Sequence, residues 1–260
     1  MKALLPVILL TLFFSPCTIL AKEAPKTITN SIGIEFILIP AGTFEMGSRE
    51  LEDGSSKEKP RHSVTLSKPF YLGKTEITQQ QWKKVMGYNP SLYRSPTLPV
   101  ERVSWDEVKK FIKRLNEREK TDTYRLPTEA QWEYGARGNN PGSYCYGDDP
   151  KGEKLAQYGW FEKNANEQTH PVAELKPNGF GLHDMHGNVQ EWVQDWFDRK
   201  YYSKSPATDP NGPENGRKRG IRGGSWINPA WHCRSAARNY YSSDYVDSDI
   251  GFRLAMTVPQ

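Results

Sequence analysis

The chain has 260 residues, 36% hydrophobic and 12% aromatic, with 8 Trp, 21 Gly, 19 Pro and a formal net charge of +4. So many turn formers and rings exclude a collagen, a coiled coil, a multispan membrane protein and a long helical bundle. A Leu/Val-rich parallel-sheet enzyme does not fit either. The balanced charge, with no basic cluster beyond Arg217-Lys218-Arg219, gives no support to nucleic-acid binding.

Met1-Lys2, an apolar run to Leu20 and the small residue Ala21 read as a secretory signal peptide over residues 1–21. Pro6 and Pro16 interrupt the run, so an uncleaved membrane anchor is the weaker alternative. Pro16 ahead of Cys17 argues against lipid attachment there. The expected product is secreted or periplasmic, with no membrane span after cleavage. It keeps two cysteines, Cys145 and Cys233. An even count in an exported protein predicts one Cys145–Cys233 disulfide, and the rival reading is two free thiols, one of them catalytic.

Residues 22–30 are polar and read as a flexible linker. Ile34 to Ile39 reads as a strand, with Thr43-Phe44-Glu45-Met46-Gly47 as its hairpin partner. The charged stretch 49–61 reads as a loop. His62-Ser63-Val64-Thr65-Leu66 and Phe70-Tyr71-Leu72-Gly73 alternate like short strands. Three capping boxes open helices: Thr78 with Gln81, Ser104 with Glu107, and Thr128 with Gln131. The second places Val108, Phe111, Ile112 and Leu115 on one face. Beyond Gly138, Gly, Asn, Asp and aromatic residues predict loops and short strands. The simplest partition is one domain over 31–258.

Several segments carry a family pattern. They are Phe36-Ile37-Leu38-Ile39-Pro40-Ala41-Gly42-Thr43-Phe44-Glu45-Met46-Gly47-Ser48, Lys74-Thr75-Glu76-Ile77-Thr78 with Trp82, and Leu98-Pro99-Val100 with Val103-Ser104-Trp105. Arg125-Leu126-Pro127-Thr128-Glu129-Ala130-Gln131-Trp132-Glu133-Tyr134, Pro177-Asn178-Gly179-Phe180-Gly181-Leu182 and Gly187-Asn188-Val189-Gln190-Glu191-Trp192 follow. Arg222-Gly223-Gly224-Ser225-Trp226, Cys233-Arg234-Ser235-Ala236-Ala237-Arg238 and Gly251-Phe252-Arg253 complete it. In this order they resemble the sulfatase-modifying-factor family, whose founding members are formylglycine-generating enzymes. The resemblance implies an α+β, loop-rich, C-type-lectin-like fold in one domain.

It also implies an oxidoreductase lineage. Formylglycine-generating enzymes oxidise a cysteine of a nascent sulfatase with oxygen and copper, the copper being held by two cysteines between the Gly-Gly-Ser segment and the later Ala-Ala-Arg. Here Asn228 stands where the first belongs, and Cys233 is the only thiol in the window. Copper(I) bound as two thiolates needs two soft ligands, so copper oxidase activity is not expected. Ser225 matches a serine of the family pocket, and Ser225 and Cys233 are the catalytic candidates if chemistry survives. The family segment at Asn188, Val189 and Glu191 implies a structural calcium, whereas the residues alone allow Asn188 and Glu191 to satisfy buried backbone instead. The spacing His183-Asp184-Met185-His186 suggests a metal only on a helix, and flanking Gly181 and Gly187 argue against one.

The segment 239–249 is rich in Tyr, Ser, Asp and Asn, a composition also suited to adaptable binding surfaces. Trp226, Asn228, Trp231, His232, Tyr240, Tyr241 and Tyr245 are therefore the ligand-binding candidates. The expected function is an exported, non-oxidase protein that binds a protein, peptide or small-molecule ligand through 225–249. Two alternatives stand beside it. One is a periplasmic oxidoreductase or maturation enzyme acting on a protein or a peptide-derived, siderophore-type substrate. The other is a ligand-binding protein diversified by a retroelement.

Overall fold

The computed structural model describes residues 24–259 except 51 and 53. The signal peptide expected over 1–21 lies outside the described residues. The elements run β1 (Thr27–Thr29), β2 (Glu35–Ile39), β3 (Gly42–Met46), β4 (His62–Leu66), β5 (Phe70–Gly73), α1 (Gln79–Met86), α2 (Trp105–Glu119), β6 (Tyr124–Arg125) and α3 (Glu129–Arg137). Then come β7 (Gln190–Trp196), β8 (Arg219–Arg222), β9 (Arg238–Tyr241), β10 (Ile250–Gly251) and β11 (Ala255–Thr257). Long loops and single 3-10 turns join them.

All three capping boxes form, each with a reciprocal bond between cap and third helical residue. Such caps satisfy orphan amides at the start of a helix, which is why a local sequence signature suffices to place it. Gly87, at φ 85°, ends α1 in the left-handed region where a Cβ is costly. On α2, Val108, Phe111, Ile112 and Leu115 are all buried, as their spacing predicts.

Two strand expectations are corrected. The stretch 42–46 does not pair with 35–39: β3 pairs with β4, and β2 pairs with β5, both antiparallel. Alternation identifies a strand but says nothing about its partner, and here a 3-10 turn at Ser56–Glu58 returns the chain to β3. The presumed linker is also partly built in, because Thr27–Thr29 pairs antiparallel with β2. The result is a five-stranded sheet ordered β1-β2-β5-β11-β6, a four-stranded sheet ordered β10-β7-β8-β9, and the β3-β4 ribbon.

One apolar cluster lies under α1 and α2, where Trp82 stacks on Phe111 with centroids 5.3 Å apart. A second joins α3 to β3, β4 and β5 around the fully buried Trp132. No helix among the described residues is long and apolar enough to cross a membrane.

Candidate functional site

Buried ion pairs fix the platform of the site. Arg253 grips Glu191 with two bonds of 2.7 Å, and the Trp132 indole N–H donates to the same carboxylate at 2.7 Å. Arg222 and Arg137 both pair with Glu133, and Arg238 grips Glu129 at 2.7 and 2.6 Å. Burial alone would raise the Glu133 carboxyl, but Arg137 and Arg222 hold it below its ordinary value. These pairs are bidentate or shared, the geometry in which guanidinium binds carboxylate best.

This platform engages the residues expected to carry calcium. Both Glu191 oxygens are occupied by Arg253, one also by Trp132. Asn188 is equally spent. Its side chain accepts from the His170 amide at 3.0 Å and donates to the His170 carbonyl at 3.2 Å. Its own amide donates to Trp160 O, and its carbonyl accepts from Trp226 N. Val189 has a fully buried side chain beside them. The Asn188 and Glu191 side chains therefore already serve buried polar groups, the alternative that the residues alone allowed. Gly187, at φ 143°, sits against the Trp160 carbonyl where a Cβ would collide.

The two cysteines are free and buried, so the expected disulfide is corrected. The physical reason is His186, whose imidazole is wedged between their backbones. Cys145 N–H donates to Nε2 at 3.1 Å, and Nδ1 lies 2.8 Å from the Cys233 carbonyl. Accepting at Nε2 obliges the ring to be neutral with its proton on Nδ1. Burial favours that state and depresses the His186 pKa to about 4. Its partner His183 instead lies 2.8 Å from Leu175 O through Nδ1, so the two rings do not converge as a metal pair.

Ser225 and Cys233, the catalytic candidates, are fully buried. Burial pushes both thiols, Cys145 and Cys233, up to about 12, far from the range of a reactive thiolate. Gly224, at φ 67°, lies so close to Cys233 Sγ that a Cβ would stand 2.6 Å from it. The copper donor set fails on the same residues. Asn228 supplies an amide, and its Oδ1 lies 2.9 Å from Ser225 Oγ.

Sequence reasoning missed the rest of that network. Ser225 Oγ is also 2.7 Å from Asp249 Oδ2, which accepts from Gln190 Nε2 at 2.9 Å. One hydroxyl proton cannot serve Asn228 and Asp249 together. Burial raises the Asp249 carboxyl, against the hydrogen bonds from Ser225 and Gln190 that lower it. Asp249 stands directly before the Ile250-Gly251-Phe252-Arg253 segment, and that position was the available signal.

The ligand-binding candidates divide into separate places. Trp226 is buried, its indole N–H donating to Ser248 O at 3.2 Å and its ring meeting Tyr93 edge-on. Tyr241 stacks on Tyr245 at 4.1 Å, and both pack against the α1–α2 core. Tyr240, on the other face of β9, packs on Phe197 at 4.2 Å with Lys218 over its ring. Trp231 and His232 line one cavity together. They come from one 3-10 turn (Ala230–Cys233) and touch edge-to-face at 3.8 Å.

Trp231 is 54% exposed, the only exposed tryptophan among the described residues. It walls an open cleft of about 1330 Å³ that also takes in Arg49, Arg61, Tyr144, Lys163 and Arg234. It also lines a smaller cavity of about 220 Å³ with Lys57, Gln190, His232 and Asn239. Arg234 lines both spaces, held by Glu52 at 2.8 Å and Glu58 at 3.0 Å.

The loop-rich sheets and this platform define a C-type-lectin-like scaffold of the kind expected. The sulfatase-modifying factor enzyme 1-like domain matches residues 21–258, and the chain belongs to that family. A formylglycine-generating enzyme of Streptomyces coelicolor is 37% identical over 187 residues, covering 67% of this chain and 57% of that protein. The match thus spans little more than half of that relative's length. Chaperone protein LppX of Paenibacillus barcinonensis is 29% identical over 272 residues, 86% of this chain and 90% of its own. The solved structure of Treponema denticola variable protein 1 superposes with a TM-score of 0.80 at 29% identity, covering 90% of this chain and 99% of that one.

Proposed function

We propose that this protein is an exported, non-oxidase member of its family that binds a protein partner or other ligand across the cleft walled by Trp231. The exposed indole on a concave wall carries the reading, because large amphipathic rings are the usual anchors of recognition surfaces. The loss of a thiol pair supports the non-oxidase part: Asn228 is an amide, and Cys233 is buried and protonated. The likeness to a protein named as a chaperone is in keeping with binding to another polypeptide.

Two measurements test it. A sulfatase-derived cysteine peptide incubated with the protein, copper and oxygen should show no aldehyde by mass spectrometry above a copper-only control. Enzyme-dependent aldehyde would end the non-oxidase reading. A photo-crosslinking residue at position 231 should give adducts in the exported fraction that the same residue at exposed Leu92, outside the cleft, does not. Equal labelling from both positions would remove the cleft from the account.

The maturation-enzyme reading draws on the Ser225–Asp249–Gln190 chain of hydrogen bonds. It requires the buried Ser225 to become accessible, and Ser225→Ala would then abolish turnover of a peptide-derived substrate. The retroelement reading draws on the composition of 239–249 and the likeness to a protein named as variable. A near-copy of the codons for 223–253 beside a reverse transcriptase gene tests it, and absence of both rejects it.

A further inference from the structure

The small cavity behind Trp231 holds polar donors with no assigned purpose. Its volume, about 220 Å³, lies below the roughly 300–1,000 Å³ of ordinary small-molecule pockets. It therefore admits one small group of a larger ligand. Its lining brings Lys57, Arg222, Arg234 and Arg238 together against a single carboxylate, Glu58.

Most of these charges are spoken for. Glu58 is committed to Arg234 at 3.0 and 3.2 Å, and Arg238 is gripped by Glu129. Arg222 pairs with Glu133, and its Nε, 3.4 Å from Glu129, lacks a hydrogen bond. Lys57 and His232 are different. Among the described residues no hydrogen bond or ion pair engages the Lys57 ammonium, whose neighbour is the Tyr240 ring face at 5.6 Å. The His232 ring likewise meets only the edge of Trp231. Both side chains are half-buried.

Their surroundings disfavour positive charge. Burial lowers the Lys57 pKa first, and Arg238, Arg199 and Arg222 add to it, with Glu58 opposing. Burial also leads for His232, followed by Lys57 and Arg234. Lys57 and His232 line the same cavity, and the Lys57 charge is one of the causes that lower the His232 pKa. The nearby Asn239 amide is loosely paired, its Nδ2 lying 3.4 Å from Gln190 Oε1. A half-buried cation that makes no direct ion pair is costly, and an incoming anion relieves that cost.

We propose that this cavity is an oxyanion site that takes a carboxylate of the bound ligand, held by Lys57 and His232 while the rest of the ligand lies against Trp231. Two unengaged donor groups, an ammonium and an imidazole, match the two oxygens of a carboxylate, whereas a phosphate presents three acceptor oxygens. The inference rests on the docking role given to Trp231 above and adds the chemical class of the group that docks.

The test uses simple anions. The His232 ring resonance, assigned by its loss in His232→Gln, is followed by NMR while acetate or succinate is added at constant ionic strength. A saturable shift, with the imidazole becoming easier to protonate, is expected. The Lys57→Met variant should weaken the binding about tenfold or more, the loss of one charge-assisted contact, while Lys57→Arg restores much of it. An unmoved resonance, or equal affinity in a folded Lys57→Met, overturns the proposal. So does saturable binding of inorganic phosphate with none of the carboxylates. If Lys57→Met does not fold, the wild-type titration decides alone. Trp231→Ala should keep the acetate response, so failure of the docking reading and failure of the anion site are separately visible.

Discussion

The Trp132 platform and the Trp231 turn are built from the same residue types and do opposite work. In the platform Trp132 is fully buried, its N–H spent on Glu191, and Arg253 is locked on the same carboxylate. In the turn Trp231 is exposed, and the Lys57 ammonium behind it makes no ion pair among the described residues. A buried charge with every donor satisfied specifies a scaffold. A half-buried charge left without a counter-ion is a place for something else to bind. Composition alone cannot separate the two, because an indole and a guanidinium serve either purpose.

Four changes test this contrast. Glu191→Ala should be the most damaging, since it leaves Arg253 buried and unpaired, at a cost of about 3–5 kcal/mol. Denaturant unfolding with an unchanged slope would measure it, and a loss under about 1 kcal/mol would contradict the platform's role. Next comes the imidazole between the cysteines. The folded pKa of His186 is depressed from 6.5 to about 4, so folding favours the neutral ring. That contribution is complete above about 6.5 and is lost as pH falls toward about 4, on the order of 3 kcal/mol. Urea melts of wild type and His186→Gln across that window should converge as the pH drops.

Asp195 gives an effect of opposite sign. It is fully buried, and burial, with Glu129 beside it, raises its carboxyl from 3.8 to about 8. A raised acid pKa stabilises the fold below the ordinary carboxylate range, and this is lost as pH climbs through about 8. Asp195→Asn imitates the protonated acid and should gain about 1 kcal/mol or more over wild type on the alkaline side. Thermal melts that stay parallel across pH would contradict it. Trp231→Ala should change stability least, within about 0.5 kcal/mol, while removing ligand capture. A large loss of stability would place Trp231 in the scaffold after all.

Much of the scaffold was legible in advance. Caps at Thr78, Ser104 and Thr128 are contacts across three residues, and the helix faces follow from spacing. The partner of 42–46 was not legible, because strand patterning lacks a pairing code. The even cysteine count misled for a similar reason: nothing near either thiol in sequence announces His186 between them. Within the site, Ser225, Asn228, Trp231 and His232 were visible through the family window. Lys57 was not, since it comes from a charged turn far upstream.

The sequence by itself determined the family, the capped helices and the loss of the paired thiols, all properties of local patterns or of residues present or missing. Only the tertiary structure decided which tryptophan meets solvent, which carboxylates are neutralised and which cations remain unpaired. Those outcomes depend on contacts such as Trp132 with Glu191, 59 residues apart, and Arg253 with Gly73, 180 apart. Burial and electrostatic pairing are sums over such distant neighbours, so they exist only once the chain has folded.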